Sequence, residues 1–300
     1  MESQKDGAEA LTVKRMCQLG RVSRAGFYRS LCAKPEEDPD LELRDAIQRV
    51  ALEFPSYGWP RMTREPLRRG WAVNHKRVYR LMREDNLLCL RRRKFVITTD
   101  SAHDLPVYPN LAREMTLTGV DQLWVADITY IRLLVECVYL AVILDAFSRR
   151  VIGWALDRTL EAELTLQALG MALVRRKPAA GLVHHSDRGV QYASRDYLTL
   201  LAEHGIRSSM SRRGNPYDNA RAESFMKTLK YEEVYRQEYR DVAEARASIS
   251  RFLEQVYNQE RLHSAWGYLP PAEFEESLTP VRGTTPRLSP NASPVRETGI

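Results

Sequence analysis

The stretch LWVADITYIR at residues 123–132 is the first of three consecutive apolar runs that together predict a β-meander. Like it, Cys137–Asp145 and Arg150–Arg158 are rich in Val, Ile, Tyr or Trp, and turn-forming residues separate the runs. Asp127 interrupts the first run near its middle. A carboxylate inside a strand that should be buried is costly unless it is paired or binds a metal ion, so the stretch predicts a functional acid as well as a strand.

Helices alternate with strands downstream of the meander. The predicted elements are a helix at 161–176, a strand at 182–186, a helix at 194–204, a strand at 206–210 and a helix at 220–231. In the resulting order, βββαβαβα, the later strands should run parallel to their neighbours because helices connect them. This order predicts an α/β fold with a mixed five-stranded sheet and helices on both faces.

Two further acids accompany Asp127. Asp187 directly follows the fourth predicted strand and Glu223 lies near the start of the last predicted helix. Asp127 and Asp187 have 59 residues between them, and Asp187 and Glu223 have 35. If the first and fourth strands are neighbours, the three carboxylates converge. Three carboxylates can hold two Mg²⁺ or Mn²⁺ ions for phosphodiester chemistry, so we predict that these acids are both metal ligands and catalytic groups.

Other acids and histidines near these motifs have structural interpretations. Asp145 fits a cap in the turn after the second strand, and Asp218 competes with Glu223 as third carboxylate but lies before the predicted helix. His184 and His185 are neighbours on a strand, so they point to opposite faces and at most one can face the acids. We interpret both histidines as packing or hydrogen-bonding residues.

The last predicted helix also carries positive charge. Lys227 and Lys230 stand four and seven residues after Glu223, on the same face, where they are suited to DNA phosphates. An ordinary Glu–Lys surface pair one turn apart is the alternative. The loop before the helix is basic, and we predict that its Arg212 and Arg213 contact DNA as well.

Composition and charge exclude some classes of protein. Hydrophobic residues make up 44% of the chain without a run long enough for a membrane span, and the N-terminal residues have no apolar core typical of a signal peptide. The four scattered cysteines indicate reduced thiols in a cytoplasmic protein. Within a net charge of +6, residues 61–94 alone carry 12 basic and 3 acidic residues, which is typical of a protein with a polyanionic partner.

Two helix-turn-helix patterns precede the core. The first spans residues 11–33. The second comprises helices at Leu41–Glu53, Arg61–Arg69 and His75–Asp85, the last of them capped by Asn74. The side chains off the apolar stripe of this last helix are predicted to contact DNA, and they are His75, Lys76, Arg80 and Arg83. A helical hairpin with a solvated basic face is the alternative.

The chain divides into six predicted segments. These are a first helix-turn-helix (1–34), a second, basic helix-turn-helix (41–90), a linker (91–120), a catalytic core (121–235), a C-terminal helical extension (236–277) and a disordered tail (278–300). Pro66 lies inside the second helix of the basic unit. A proline there costs about 3 kcal/mol, so we expect that helix to be kinked or shortened.

Several motifs carry a resemblance to a known family. The motifs WVADITY (124–130), HSDRGVQY (185–192) and NPYDNAxxESF (215–225) resemble the catalytic motifs of bacterial insertion-sequence transposases of the insertion-sequence-three type. Those transposases are similar to retroviral integrases. Residues 57–82 resemble the family's upstream helix-turn-helix, and residues 257–274 resemble its C-terminal signature.

The resemblance implies an RNase H-like integrase core, preceded by all-α helix-turn-helix units, in which Asp127, Asp187 and Glu223 form a DDE triad with two Mg²⁺ (or Mn²⁺) ions. It implies cleavage of the 3′ ends of an insertion sequence at its terminal inverted repeats, then joining to target DNA. Its partners would be double-stranded DNA, further copies of the chain as a homo-oligomer, and an upstream-frame product as partner or fusion, at the bacterial nucleoid and without membrane contact. A nuclease that only hydrolyses and a catalytically idle DNA-binding regulator remain as alternatives.

Overall fold

The computed structural model describes residues 12–32, 39–88, 108–212 and 216–278. Its α-helices are α1 (Val13–Leu19), α2 (Arg24–Cys32), α3 (Leu41–Glu53), α4 (Trp59–Arg68), α5 (His75–Glu84), α6 (Ala162–Arg176), α7 (Arg195–Glu203), α8 (Ala220–Glu232), α9 (Val242–Arg251) and α10 (Pro271–Leu278). Its strands are β1 (Leu123–Arg132), β2 (Cys137–Asp145), β3 (Val151–Asp157), β4 (Val183–Ser186) and β5 (Arg207–Met210). None of the helices in these described ranges is long and apolar enough to cross a membrane. The predicted linker up to residue 107, Arg213 and the predicted tail from residue 279 onward lie outside the described residues.

The strands form one five-stranded sheet in the order β3-β2-β1-β4-β5. β1, β2 and β3 pair antiparallel, whereas β4 lies parallel to β1 and β5 parallel to β4. Short turns join the antiparallel strands, and the helices α6 and α7 provide the crossovers that parallel strands require. The mixed five-stranded sheet predicted from the order of elements is therefore confirmed, with the first and fourth strands as neighbours.

Helices cover both faces of the sheet, as predicted. On β1, Leu123 and Val125 belong to a buried cluster shared with α8 and α9. Trp124 and Ala126 alternate with them and belong to the cluster shared with α6 and α7. Because side chains alternate between two buried faces, β1 is apolar at nearly every position in its first half, and Asp127 is the exception.

Gly153 in β3 allows α6 to lie close against the sheet. A Cβ atom at this position would stand 2.2 Å from the carbonyl oxygen of Ala168 and 2.9 Å from Cβ of Ala172. Both residues belong to α6, so the helix itself would have to move to make room for any side chain. The packing of this helix on the sheet therefore depends on glycine at position 153.

The second helix-turn-helix unit has its own core, which a residue from far along the chain completes. Val78 and Leu81 of α5 lie in this core together with Leu262, and all three are fully buried. The N–H of Leu262 donates to the Tyr57 hydroxyl at 2.9 Å, and its carbonyl accepts from Arg61 Nε at 2.9 Å. The C-terminal extension therefore ties the helical unit to the sheet and its helices, on which the extension also packs.

α4 differs from its prediction. It begins at Trp59 rather than at Arg61, with Pro60 in its first turn. Backbone N–H groups in the first turn have no partner within the helix, so proline is accepted there without the loss of a hydrogen bond. The helix also runs through Pro66, which is buried, and ends at Arg68. We expected Pro66 to kink or shorten this helix; the shortening is wrong, and the kink stays a prediction.

The C-terminal extension, predicted to be helical, is made of several separate elements. After α9 the chain continues as a π-helix over Phe252–Glu260. α10 then follows as a separate helix, and its Glu275 accepts from Ser148 Oγ at 2.6 Å and from Arg150 Nη1 at 2.7 Å. These contacts attach α10 to the turn between β2 and β3.

Candidate active site

The pairing of β1 with β4 brings Asp127 and Asp187 side by side. Val125 lies opposite His185 in this parallel pair of strands. Asp127 and Asp187 each lie two residues further along, so they stand at the same level. Asp127 is inside β1, opposite Val142 of β2, and Asp187 directly follows the end of β4. The two acids therefore have the neighbouring strands that their convergence requires.

α8 adds Glu223 to the same place. The pKa of Asp127 is raised to about 7, chiefly by burial, then by repulsion from the Asp187 carboxylate and, less strongly, from that of Glu223. Solvent still reaches part of all three side chains. The structure thus brings the three predicted acids into one accessible site, in which each added negative charge opposes the ionisation of Asp127.

The loop after β4 orients Asp187. The N–H of Gly189 donates to Asp187 Oδ1 at 3.0 Å, so one carboxylate oxygen is held by the backbone. A Cβ atom on Gly189 would lie 3.1 Å from the same oxygen. The close approach of the Asp187 carboxylate to the backbone is therefore easiest with glycine at position 189. This explains why a glycine lies two residues after the acid.

Asn219 connects the start of α8 to β1. Its Nδ2 donates to the carbonyl of Ala126 at 3.0 Å, directly before Asp127 in the strand. Its Oδ1 is buried and has no hydrogen-bond partner among the described residues. Asn219 therefore fixes the helix that carries Glu223 relative to the strand that carries Asp127. Asn219 was not among the predicted site residues. The signal in the sequence is an asparagine directly before the helix and four residues before Glu223.

The two lysines of α8 have different surroundings. Lys230 is half-buried, with Nζ 5.0 Å from the centre of the Tyr130 ring, and burial lowers its pKa while the charge of Asp127 opposes that change. Lys227 is exposed. The structure therefore places Lys230 beside the acids and leaves Lys227 on the solvent side of the same helix.

The donor chemistry of the site fits Mg²⁺ or Mn²⁺, because its three carboxylates supply oxygen ligands. Across the described ranges, no three His, Cys, Asp or Glu side chains are close enough together to hold one ion jointly as they stand. Mg²⁺ in phosphate-processing sites is usually held by one or two carboxylates, with water and substrate oxygens completing the shell. The residues present therefore fit such an ion through the chemistry of their carboxylate donors, although no three of these side chains surround one position in the described residues.

The competing acids have structural partners. Asp145 Oδ1 accepts from the backbone N–H of Phe147 at 3.0 Å and of Ser148 at 2.7 Å, which confirms the predicted cap in the turn after β2. Asp218 pairs with Arg212, at 3.0 Å from Nε to Oδ2, and this ion pair holds the pKa of Asp218 well below its usual range. Part of the charge that we predicted Arg212 to offer to DNA is therefore already engaged by this carboxylate.

Both strand histidines are hydrogen-bonded inside the fold. His184 Nε2 lies 2.9 Å from the Tyr197 hydroxyl, and the two ring nitrogens of His185 lie 2.8 Å from Ser209 Oγ and 3.0 Å from Ser211 Oγ. Burial lowers the pKa of His184 to about 3, with a smaller contribution from His185. The interpretation of these histidines as packing and hydrogen-bonding residues is confirmed.

The neutral His184 makes stability depend on pH. Above the ordinary histidine pKa of about 6.5 both the folded and unfolded chains carry it neutral, and its contribution is fully present. Below that pH only the unfolded chain takes up the proton, until the folded pKa of about 3 is reached. We therefore expect this residue to lower the free energy of unfolding by about 1.4 kcal/mol per pH unit below pH 6.

Urea unfolding at pH 7.5, 6.0 and 5.0 measures this effect. His184→Gln should flatten the pH dependence, whereas replacement of the exposed His204 by Gln serves as the control. An unchanged pH dependence in His184→Gln would contradict the expectation.

The predicted DNA-contacting residues of α5 all lie at the surface. His75, Lys76, Arg80 and Arg83 are exposed. Arg80 is paired with Asp40 at 2.6 Å and with Glu84 at 3.2 Å, so part of its charge is already compensated. As predicted, Asn74 caps the helix by accepting from the Arg77 N–H at 2.9 Å. The DNA contacts themselves stay predictions.

Comparison with known proteins assigns the chain to a family. Residues 118–216 and 204–271 each match a family model described as an integrase core domain, and residues 38–95 match an HTH-like domain. The chain is 40% identical over 266 residues to the insertion element IS600 uncharacterized 31 kDa protein of Shigella sonnei, covering 87% of this chain and 97% of that protein. It is 37% identical over 270 residues to the transposase InsF for insertion sequence IS3A of Escherichia coli strain K12, covering 88% of this chain and 94% of that protein.

Among solved structures, the HTLV-2 integrase catalytic core domain in complex with magnesium (trimeric form) is similar over 53% of this chain and 98% of its own, at 16% identity and a TM-score of 0.42. That likeness is too distant to support an argument. The relatives at 37–40% identity are close and match over almost their whole length. Because of these relatives, the chain belongs to the IS3 family of insertion-sequence transposases.

Proposed function

We propose that this chain is a metal-dependent DNA transposase that cuts the 3′ ends of an insertion sequence at its terminal inverted repeats and joins them to target DNA. The observation that carries the proposal is the convergence of Asp127, Asp187 and Glu223 from β1, β4 and α8. Membership of the IS3 transposase family supports the same activity.

The three acids would hold two divalent cations, Mg²⁺ or Mn²⁺, which when bound activate the attacking water or 3′-hydroxyl and stabilise the leaving 3′-oxygen. The chain's own groups then position the DNA and the acids. Gly189 holds one oxygen of Asp187, and Asn219 sets the distance between α8 and β1. Lys230 supplies a positive charge beside Asp127 for the substrate phosphate.

DNA would be delivered by the basic helical unit. α5 presents His75, Lys76 and Arg83 on its exposed surface, in the segment that carries most of the excess positive charge. We further propose a homo-oligomer on DNA, because joining both ends of an element requires two active sites. An upstream-frame partner or fusion and a place at the bacterial nucleoid belong to the same proposal.

The experiment uses a labelled duplex that ends in the element's inverted repeat, unlabelled target DNA and Mg²⁺ or Mn²⁺. We expect a nick at the 3′ end of the repeat, followed by a joined product of higher mass. Cleavage without joining would support the nuclease that only hydrolyses. Binding with neither reaction would support the idle regulator, and either outcome would overturn the proposal.

Asn219→Ala should slow cleavage by about 10–100-fold, the range found when groups that orient metal ligands are removed. The physical reason is that α8 loses its hydrogen bond to the Ala126 carbonyl, so Glu223 is no longer held opposite Asp127. Cleavage rates over a Mg²⁺ titration measure the effect, and the half-saturating Mg²⁺ concentration should rise.

Gln167→Ala, which removes an exposed amide from α6, is the matched control and should behave as the wild type. DNA binding in EDTA should be equal in both variants. If Asn219→Ala cleaves at the wild-type rate and with the wild-type Mg²⁺ dependence, the hydrogen bond between Asn219 and Ala126 does not position the site.

A further inference from the structure

A second charged site lies where the helical unit, the core and the C-terminal extension meet. It is a cleft of about 80 Å³ on the core side of α4. Its polar lining includes Arg61 from α4, Arg149 from the turn between β2 and β3, Arg221 from α8, and Arg261 and Ser264 from the C-terminal extension. Segments that are far apart in the sequence therefore converge on one small space with several guanidinium groups.

This cleft is distinct from the acid site. Ser224 and Thr228 also line it, and they stand three and seven residues after Arg221, on one face of α8. Glu223 and Lys227 have the same helical spacing to each other but face the opposite flank of the helix. α8 therefore separates the two sites, with the acids on one flank and the arginine cleft on the other.

The cleft carries uncompensated positive charge. Arg61, Arg149 and Arg221 take part in none of the ion pairs formed between described residues. Arg261 is different, because Glu232 pairs with it through Nε at 2.7 Å and Nη2 at 2.8 Å. At least three positive charges therefore face the cleft without a neighbouring carboxylate bonded to them.

The one acid that lines the cleft is already satisfied. Asp145 accepts backbone N–H groups from the turn that follows β2, and its Oδ2 accepts from the Asp121 N–H at 2.7 Å. Burial raises its pKa, and its charge still acts on Arg221. A single carboxylate therefore leaves the arginines around it with an excess of positive charge.

Two of the arginines, Arg61 and Arg149, are held by neighbouring groups despite the repulsion within the cleft. Arg61 Nε donates to the Leu262 carbonyl at 2.9 Å, and the Arg149 guanidinium stands 6.0 Å from the centre of the Trp266 ring. Burial and then the charge of Arg261 lower the pKa of Arg61, whereas burial and then Arg149 lower that of Arg221. Like charges held together in this way are stabilised when an anion joins them.

We propose that this cleft binds a phosphate group through Arg61, Arg149 and Arg221, and that in the DNA complex the group is a backbone phosphate of the duplex. Guanidinium groups match phosphate oxygens in pairs of parallel hydrogen bonds, and the hydroxyls of Ser224, Thr228 and Ser264 can add further donors. The assignment of the phosphate to DNA rests on the proposed function. One bound phosphate would bridge the helical unit and the core, so DNA itself would fix their relative position.

The phosphate arm of the test needs neither DNA nor a divalent metal. Thermal unfolding of the full chain in EDTA is followed with inorganic phosphate, and with chloride at the same ionic strength. We expect phosphate to raise Tm over chloride in the wild type, because a ligand that binds only the folded state stabilises it. The double variant Arg149→Gln/Arg221→Gln should lose most of this rise. Arg195→Gln, an exposed arginine on α7, is the matched control and should keep it.

The DNA arm measures binding of an inverted-repeat duplex in EDTA at several salt concentrations. Loss of one phosphate contact should reduce the slope of log affinity against log salt by about one and weaken binding several-fold in the double variant. Arg195→Gln should keep the wild-type slope. A double variant that loses the phosphate effect but keeps the full DNA slope would overturn the assignment to DNA and leave a free phosphate as the ligand. A double variant equal to the wild type in both arms would overturn the site.

Both arms are separable from catalysis. Asp187→Asn should show the same phosphate stabilisation and salt slope as the wild type, since the cleft lies across α8 from the acids. A chain that shows these effects but neither cuts nor joins DNA would contradict the proposed transposase activity alone.

Discussion

Asp187→Asn is expected to reduce 3′-end cleavage and strand joining by about a thousandfold or more, while DNA binding in EDTA stays at the wild-type level. Asparagine preserves the shape of the side chain and can still accept from the Gly189 N–H. It removes the negative charge and half of the oxygen ligands that the position offers to a cation. Loss of one preorganised electrostatic group commonly costs about 10²–10³ in rate, and loss of a metal ligand adds to this.

Two measurements separate the chemical effect from damage to the fold. Cleavage and joining are quantified with the labelled inverted-repeat duplex, and stabilisation by Mn²⁺ is followed by thermal unfolding, where Asp187→Asn should abolish the metal-dependent rise. Asp196→Asn, at an exposed position in the first turn of α7, makes the same chemical change and should retain both activities. Cleavage that survives in Asp187→Asn would remove this acid from the proposed catalytic site.

Gly153→Ala should lower the free energy of unfolding by about 3 kcal/mol, at or beyond the upper end of what overpacking usually costs. The new methyl group would stand 2.2 Å from the Ala168 carbonyl oxygen, so α6 must retreat from the sheet. That movement would open the buried cluster that α6 shares with Trp124 and Ile143. Urea unfolding measures the change.

Gly170→Ala is the matched control, because the same chemical change occurs inside α6 where a Cβ atom meets nothing within 4 Å. Alanine is a better helix former than glycine, so this variant should be more stable by about 0.5–1 kcal/mol. If Gly153→Ala lowers the free energy of unfolding and Gly170→Ala raises it, glycine is required at position 153 because α6 lies so close to β3, and not because of backbone flexibility. Equal effects would contradict this explanation.

The strands were predictable because their signals are local. The predicted bounds of β1 and β2, Leu123–Arg132 and Cys137–Asp145, coincide with those observed. Each is a run of β-branched and aromatic residues that stops at turn-forming residues. Both faces of the sheet are buried, so each strand appears as a nearly continuous apolar run, and its bounds do not depend on which face points to the core. The helices up to α8 were placed within one or two residues for a similar reason, since caps such as Asn74 mark their starts.

Much of the candidate site was predictable from the order of the strands. A parallel β1–β4 pair places Asp127 and Asp187 at one level, and the helix after β5 returns across the sheet with Glu223. Metal binding and DNA cleavage by these acids stay predictions. Asn219 could not be ranked from sequence, because its role depends on a hydrogen bond to Ala126, 93 residues away.

Contacts between distant segments were not predictable at all. The burial of Leu262 among the helices of the second helix-turn-helix unit depends on how two regions far apart in the sequence meet. The arginine cleft has the same origin, since Arg61 and Arg221 come from different units and neither lies in a local pattern that marks it. Local periodicity gives no information about such surfaces.

The position of Leu262 has a consequence during protein synthesis. The helices around it end near Met82, about 180 residues earlier in the chain. At ribosomal rates of about 5–20 residues per second, roughly 9–36 s pass between the appearance of those helices and that of the leucine. The core of the nascent helical unit therefore stays incomplete until the sheet and its helices have emerged. A ribosome that stops early releases a chain whose helical unit lacks this core side chain, so we expect that unit to be less stable in truncated products.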